Sequence, residues 1–214
     1  MLMTFTEVPP DVEQDFNEWY NREHVDERTQ LPGFVRSRRY IACEGTASPK
    51  YAAWYETNTV EDLGAPGYMA LLADQSDWSK RVMGQFSLFQ RLTLKVTVDQ
   101  IQGFGGALSL LRFTAPEGVD AQTALRTHIG SDLLPGAIDR SGMLGGCLME
   151  NDLAVSNAPA VFNGNPVPEG QLVQWVIALE GGESRHVAGV ANEVAGELDG
   201  AEVLHYRFVF GTSR

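Results

Sequence analysis

Cysteine is nearly absent: 214 residues include only Cys43 and Cys147. A disulfide framework needs more, and a zinc site needs close CxxC or HxxxH pairs that do not occur here. Both cysteines fall in apparent strands, where a free thiol behaves as a small buried hydrophobe. No run of about 18 apolar residues is present, so no helix is expected to span a bilayer and no membrane partner is expected. The amino terminus shows neither a charged leader nor a cleavage site, because Glu7, Pro9 and Pro10 follow at once; cytoplasmic residence is the expectation. Positive charge is also scarce. Sixteen basic side chains stand against 28 acidic ones, for a formal charge of −12. The densest basic stretch, Arg36, Arg38 and Arg39, lies in an apparent strand rather than a tail, so no nucleic-acid partner is expected. Neither GxGxxG nor GxxxxGK[ST] occurs, and Gly103–Phe104–Gly105–Gly106 reads as a linker, not a phosphate cradle.

What is present is an ordinary globular composition, 43% hydrophobic and 21% charged. The order of elements repeats. Residues 2–8 read as a strand, 11–30 as a helix opened by Asp11 as N-cap, and 34–43 and 51–57 as strands around the turn Gly45–Thr46–Ala47–Ser48–Pro49. A helical region with a Pro66–Gly67 interruption covers 60–83, and 86–98 closes the first half as a strand. Residues 108–113, 121–134, 143–155, 172–179, 183–198 and 203–210 then read strand, helix, strand, strand, helix, strand. This is βαββαβ written twice: a module over 1–99, a glycine-rich linker over 100–106 and a module over 107–214. Local echoes support the repeat: Leu31–Pro32–Gly33 with Leu134–Pro135–Gly136, Trp54 with Trp175, Gln90–Arg91–Leu92 with Tyr206–Arg207–Phe208, and His24 with His128.

In such a module both helices cover one face of a four-stranded sheet, and the other face needs a cover of its own. Packing the two open faces together gives an α+β fold of two tandem ferredoxin-like modules closed into one barrel. On the last strands, Phe86, Leu88, Leu92, Leu94 and Val96 share one face, while Phe89, Arg91, Thr93 and Lys95 share the other. If the apolar sets face the helices, the mixed sets meet between the sheets and line a part-polar lumen suited to a small ligand. Arg91, Arg207, Trp54 and Trp175 are the ligand-binding candidates there, with packing at solvated strand ends as the competing reading for the arginines and core packing for the rings.

The stretch Asp15–Phe16–Asn17–Glu18–Trp19–Tyr20–Asn21–Arg22–Glu23–His24, followed by Leu31–Pro32–Gly33–Phe34 and Arg39–Tyr40, resembles the dimeric α+β barrel superfamily, and within it EthD-like and related uncharacterised proteins. The resemblance covers roughly the first 60 residues; the second half matches in layout. It implies a barrel that most relatives build from two chains and that this chain builds from one, which leaves a further homo-oligomer open. It does not select an activity, because the superfamily includes cofactor-free monooxygenases, isomerases, dehydratases, cyclases and haem-degrading enzymes.

Phe16, Tyr20 and His24 are four residues apart and share a helical face. His24 is expected near the helix end, where the dipole, Glu23 and Glu27 favour its protonated form. A histidine near neutrality could take a proton from a phenol, an enol or a carbon acid, with Tyr20 or Tyr40 donating to the developing oxyanion. The competing role is structural, with Tyr20 and Trp19 anchoring the helix and His24 bonding a loop carbonyl. In the second half, Ala124 and Thr127 stand where Tyr20 and Glu23 stood, so one site rather than two is expected. His24, His128 and His205 are nominal haem ligands with no spacing to favour one, and Glu23, His24 and Glu27 diverge on a helix, so no haem, metal or other cofactor is expected. Two functions stay open: a cofactor-independent enzyme of the monooxygenase, isomerase or dehydratase kind acting on a small aromatic or polyketide-like compound, or a non-catalytic ligand-binding or stress-related protein. In a third reading side chains fill the lumen and the surface does the work.

Overall fold

A four-stranded antiparallel sheet has two open edges, and in this protein each half uses the other to cover them. The structure is a computed structural model that describes residues 1–45 and 48–214; Thr46 and Ala47 of the expected turn lie outside the described residues. The strands are β1 (Leu2–Glu7), β2 (Phe34–Ala42), β3 (Tyr51–Thr57), β4 (Leu88–Asp99), β5 (Ala107–Thr114), β6 (Met143–Asn151), β7 (Gln174–Gly181) and β8 (Glu202–Ser213). They form a closed antiparallel barrel in the order β1-β3-β2-β8-β5-β7-β6-β4. Each half is a ferredoxin-like sheet, β4-β1-β3-β2 and β6-β7-β5-β8. The two are joined where the last strand of one half pairs with the second strand of the other, β8 on β2 and β4 on β6. Closure leaves no unpaired edge.

The first helix is α-helical over Glu13–Trp19, makes a π-helical turn at Tyr20–His24, and ends as Val25–Thr29. Its N-cap is Val12, without a side-chain cap, rather than Asp11; Glu13 and Asp15 in the first turn complement the dipole instead. The segment expected to be one interrupted helix is a 3-10 turn (Glu61–Gly64) and two short helices, Pro66–Ala73 and Asp77–Met83. Ser76 caps the last by accepting from the Ser79 amide at 2.9 Å. In the second half, Val119–His128 passes through a π-helical turn (Ile129–Leu133) into Leu134–Ile138, and Ser184–Ala195 is the second long helix. β6 stops at Asn151, earlier than its composition suggests, and two short helices (Leu153–Ser156 and Ala158–Phe162) follow it.

The halves match at positions other than those the sequence echoes mark. The positive-φ glycine that turns the chain into β2 is Gly33 (φ 91°), and its counterpart before β6 is Gly142 (φ 86°). Pro135 and Gly136 lie inside a helical turn. The two π-helical turns and the strands β2 and β6 stand at the same interval along the chain as these glycines. His24 therefore answers to Leu133, not His128. Arg38 is paired with Trp54 across β2 and β3, and the equivalent Cys147 with Ala178, so Trp54 answers to Ala178, not Trp175. By the same registers Arg91 answers to Val203, not Arg207.

The expected facing of the sheets is reversed. Met3, Phe5, Tyr40, Trp54, Leu94, Leu108, Leu110, Met149, Val176 and Tyr206 pack against each other in the lumen, with Leu92 and Val96 beside them. The apolar set of β4 thus points inward and Arg91, on the opposite parity, points to the helices. A narrow closed barrel excludes water, and filling it with the apolar faces removes the most apolar area. Near one mouth the lumen holds a single buried ion pair across the halves. Arg38 Nη1 donates to both Glu180 oxygens at 2.8 and 2.9 Å, and Arg38 Nη2 donates to Glu56 at 3.0 Å. The Glu180 side chain is fully buried and that of Arg38 is 5% exposed. Truncating one partner leaves the other charge buried and uncompensated, so Arg38→Leu is expected to cost about 3–5 kcal/mol in urea unfolding, whereas Arg38→Leu with Glu180→Leu recovers most of that loss. A single replacement that costs less than about 1 kcal/mol would show that water reaches the pair.

Candidate functional site

The first helix buries Phe16, Trp19, Tyr20 and His24 against the outer face of the first sheet. The π-helical turn governs how they meet. The Val25 amide bonds back to the Tyr20 carbonyl, five residues away, and inserts one extra residue into the turn. Trp19 and His24 are therefore in contact at a tilt of 48°, with ring centroids 4.0 Å apart, and Tyr20 meets the same imidazole edge-on at 4.8 Å. Trp19 Nε1 donates to Ser79 Oγ at 3.0 Å, which fixes the indole. Arg39, from β2, lies 4.2 Å from the Tyr20 ring centroid and donates to Asn17 and Asn21.

Beneath this helix a cavity of about 160 Å3 opens between sheet and helices, lined by Tyr20, His24, Tyr55, Tyr68, Gln75 and Arg91 among others. Several of its polar atoms are buried without a hydrogen-bond partner: His24 Nδ1, Tyr55 OH, Gln75 Oε1, and Nε and Nη2 of Arg91. Arg91 keeps one bond, Nη1 to the Ser156 carbonyl at 3.5 Å, and no carboxylate among the described residues pairs with it. Buried polar groups are normally satisfied, and each unmet one costs about 1–3 kcal/mol. A cluster of them around one cavity marks a place where a ligand supplies the partners. Part of the cover comes from the other half of the chain. The connection between β6 and β7 crosses over so that Pro159 lines the cavity and the Asp152 carbonyl accepts from Thr93 Oγ1 at 3.1 Å.

The protonation expected for His24 is corrected here. The helix continues to Thr29, so His24 is not at its end, and Glu23 is turned away onto Ser76 and Ser79. Burial first, then the positive charges of Arg28 and Arg39, hold the imidazole well below the usual histidine value. It is a neutral base at pH 7. Burial, with the nearby Tyr20 phenol second, holds Tyr55 well above the usual tyrosine value, so it stays protonated.

The remaining candidates lie elsewhere. Tyr40 is in the lumen, on the other side of the sheet from His24, because β2 presents residues 38 and 40 inward. Trp54 is also in the lumen. Trp175 packs under the helices of the second half, 6.2 Å from Phe113, beneath the Arg126 guanidinium. Arg207 is exposed. Of the seven residues, the cavity thus unites Tyr20, His24 and Arg91. Tyr55, Tyr68 and Gln75 escaped the sequence reading. Tyr55 was accessible through strand parity, since it alternates with Trp54 and must face the helices when Trp54 faces inward. The equivalent region of the second half lacks these groups, with Ile129, Leu133 and Val203 at the positions of Tyr20, His24 and Arg91.

No protein-family model matches the chain, and no curated protein matches it. Solved structures do. A protein from Lactobacillus acidophilus NCFM, provisionally named a monooxygenase, superposes with a TM-score of 0.57 at 11% identity, covering 99% of this chain and 94% of that one. An anthrone oxidase-like protein gives 0.58 at 13%, covering 99% and 91%. A protein provisionally named a chlorite dismutase gives 0.52 at 10%, covering 97% and 94%. At these identities the likeness is one of fold, and the fold is the α+β barrel. No helix among the described residues is long and apolar enough to cross a membrane.

The depressed His24 value has a sign that can be measured. Below pH 6.5 the unfolded chain protonates this histidine and the native chain does not, so its contribution is complete above 6.5 and is lost as pH falls. Between pH 6.5 and 5, wild-type stability is expected to fall with a slope about one proton steeper than that of His24→Phe. Parallel slopes from paired urea titrations would show that native His24 protonates freely.

Proposed function

We propose that the protein is a small enzyme, working without haem, metal or flavin, that deprotonates a single-ring phenol or enol and delivers the anion to dioxygen. The observation that carries this reading is the unpartnered Nδ1 of a neutral, buried His24 lining the same cavity as an unpaired guanidinium, Arg91. His24 removes the acidic proton. Arg91 neutralises the oxyanion that forms, and the Tyr55 hydroxyl donates to it. Counted from the keto tautomer, whose CH2 carbon lies beside the carbonyl, one atom of O2 becomes the new carbonyl oxygen and the other leaves with the two CH2 hydrogens as water. The names carried by the structural neighbours agree with an oxygen-dependent reaction of this kind.

Size narrows the substrate. A dry cavity of about 150 Å3 is enough for benzene, and pockets for drug-sized ligands begin near 300 Å3. The cavity of about 160 Å3 suits one substituted ring and is too small for a macrocycle. We also read the chain as an EthD-like relative whose halves arose by duplication, with the second copy's site given over to packing. The matched glycines and π-helical turns support this.

The test is oxygen uptake and product analysis over a panel of phenols, hydroquinones and cyclic enols. With a turned-over compound, His24→Ala is expected to lower kcat/KM by about 10²–10⁴. Arg91→Met should raise KM by about 10- to 100-fold. Tyr40→Phe, on the far side of the sheet, should change neither. Full activity in His24→Ala removes the proposed base. A ring compound that binds in the cavity and is recovered unaltered from every assay makes the protein a binder instead.

A further inference from the structure

The linker that joins the halves also closes one mouth of the barrel, and a second cavity lies under it. Residues 100–106 cross the ends of β6 and β7 so closely that a Cβ on Gly145 would stand 2.6 Å from Ile101 Cα. Phe104 is carried over the mouth, its ring 4.1 and 4.3 Å from the guanidinium carbons of Arg36 and Arg38. The space below is about 260 Å3 and is lined by Arg38, Trp54, Glu56, Gln102, Phe104 and Cys147 among others. It is separate from the His24 cavity, which lies on the opposite face of the first sheet.

The hydrogen-bonding ledger of this mouth is one-sided. Arg38 Nε and Trp54 Nε1 are buried donors without an acceptor, and their residues are 4% and 1% exposed. The carboxylates beside them are already taken. Glu56 accepts from Arg36 at 2.6 Å and from Arg38 at 3.0 Å, and both Glu180 oxygens accept from Arg38. Tyr40, one step further along the same face of β2, adds a buried hydroxyl without a partner among the described residues. Two N–H groups that find no acceptor in the protein call for one from outside. Charge narrows the choice. Glu56, Glu180 and Asp99 outnumber Arg36 and Arg38, and burial lowers the Met1 amino group, which also lines the space, to a pKa of about 6. An anion would therefore enter a region that already carries excess negative charge, whereas a neutral oxygen acceptor would not.

We propose that the barrel mouth beneath Phe104 is a second small-ligand site that takes a neutral ring compound through a carbonyl-type oxygen, with Trp54 and Arg38 as donors and Phe104 as its cover. The volume admits one ring with a substituent, by the same comparison with benzene. The site does not depend on the reaction proposed above and keeps its ligand when His24 is replaced.

The experiment is a titration of the tryptophan indole N–H signals by two-dimensional NMR with three probes of one ring size: benzamide, benzoate and ethylbenzene. Benzamide is expected to move the Trp54 indole resonance downfield, identified by its absence in Trp54→Phe and independently by sequential assignment of the wild type. Benzoate and ethylbenzene should bind at least tenfold more weakly. Phe104→Ala, at a half-exposed linker position, should weaken benzamide by about five- to tenfold, the loss of one ring contact. His24→Ala should leave the titration unchanged. An unmoved Trp54 signal, equal response to ethylbenzene, tighter binding of benzoate, or loss of the response in His24→Ala would each overturn the proposal.

Discussion

Everything in this molecule depends on the exchange of edge strands that closes the barrel. β8 bonds to β2 and β4 to β6, so neither sheet keeps a free edge and the two inner faces are locked against each other. An enclosure this narrow has little room for water, and the faces turned into it must be the apolar ones. Arg91 and Tyr55 are thereby turned outward, under the helices, whereas Arg38 and Glu180 stay inside as a mutually paired couple. Of the expected lumen arginines, the one that lines a cavity, Arg91, therefore lies beside His24. The centre of the lumen is core, and the His24 cavity lies in the layer outside it.

Closure also makes the two halves interdependent while letting their chemistry diverge. The cavity of the first half is covered partly by the β6–β7 connection of the second, through Pro159 and the bond of Arg91 to Ser156. The charge network at the mouth joins β2 to β7. In the second half, isoleucine, leucine and valine occupy the places of Tyr20, His24 and Arg91. Apolar side chains there fill what would otherwise be a cavity, and such filling stabilises the fold without the cost of unmet polar groups. The arrangement places unmet polar groups on one side and apolar packing on the other.

Much of the architecture was legible in the chain. Proline and glycine punctuation between apolar runs gave the order of elements, and that order, written twice, leads to the closed barrel. Facing was not legible. Successive residues of β4 and β3, such as Leu92 beside Arg91 and Trp54 beside Tyr55, offer large side chains to both faces, and a one-residue choice of phase inverts every assignment. The echoes misled for a related reason: Pro135–Gly136 resembles Pro32–Gly33 in composition but sits inside the helix, well before Gly142, the true counterpart of Gly33. The neutral state of His24 was half visible. Arg28 stands four residues on, within reach along the helix, but Arg39 comes from β2 and meets His24 only in the folded chain. The π-helical turn that brings Trp19 against His24 has no signature in residue type.

The central claim is that the His24 layer, not the lumen, receives the substrate ring. Its most direct test is a crystal soaked with hydroquinone without oxygen. The account places one ring beneath the first helix, with a phenolic oxygen about 3 Å from a His24 nitrogen and the other side of the ring toward Arg91. A ring seated among Met3, Leu94 and Leu110 at the centre of the barrel, with the His24 cavity empty at saturating ligand, would contradict it.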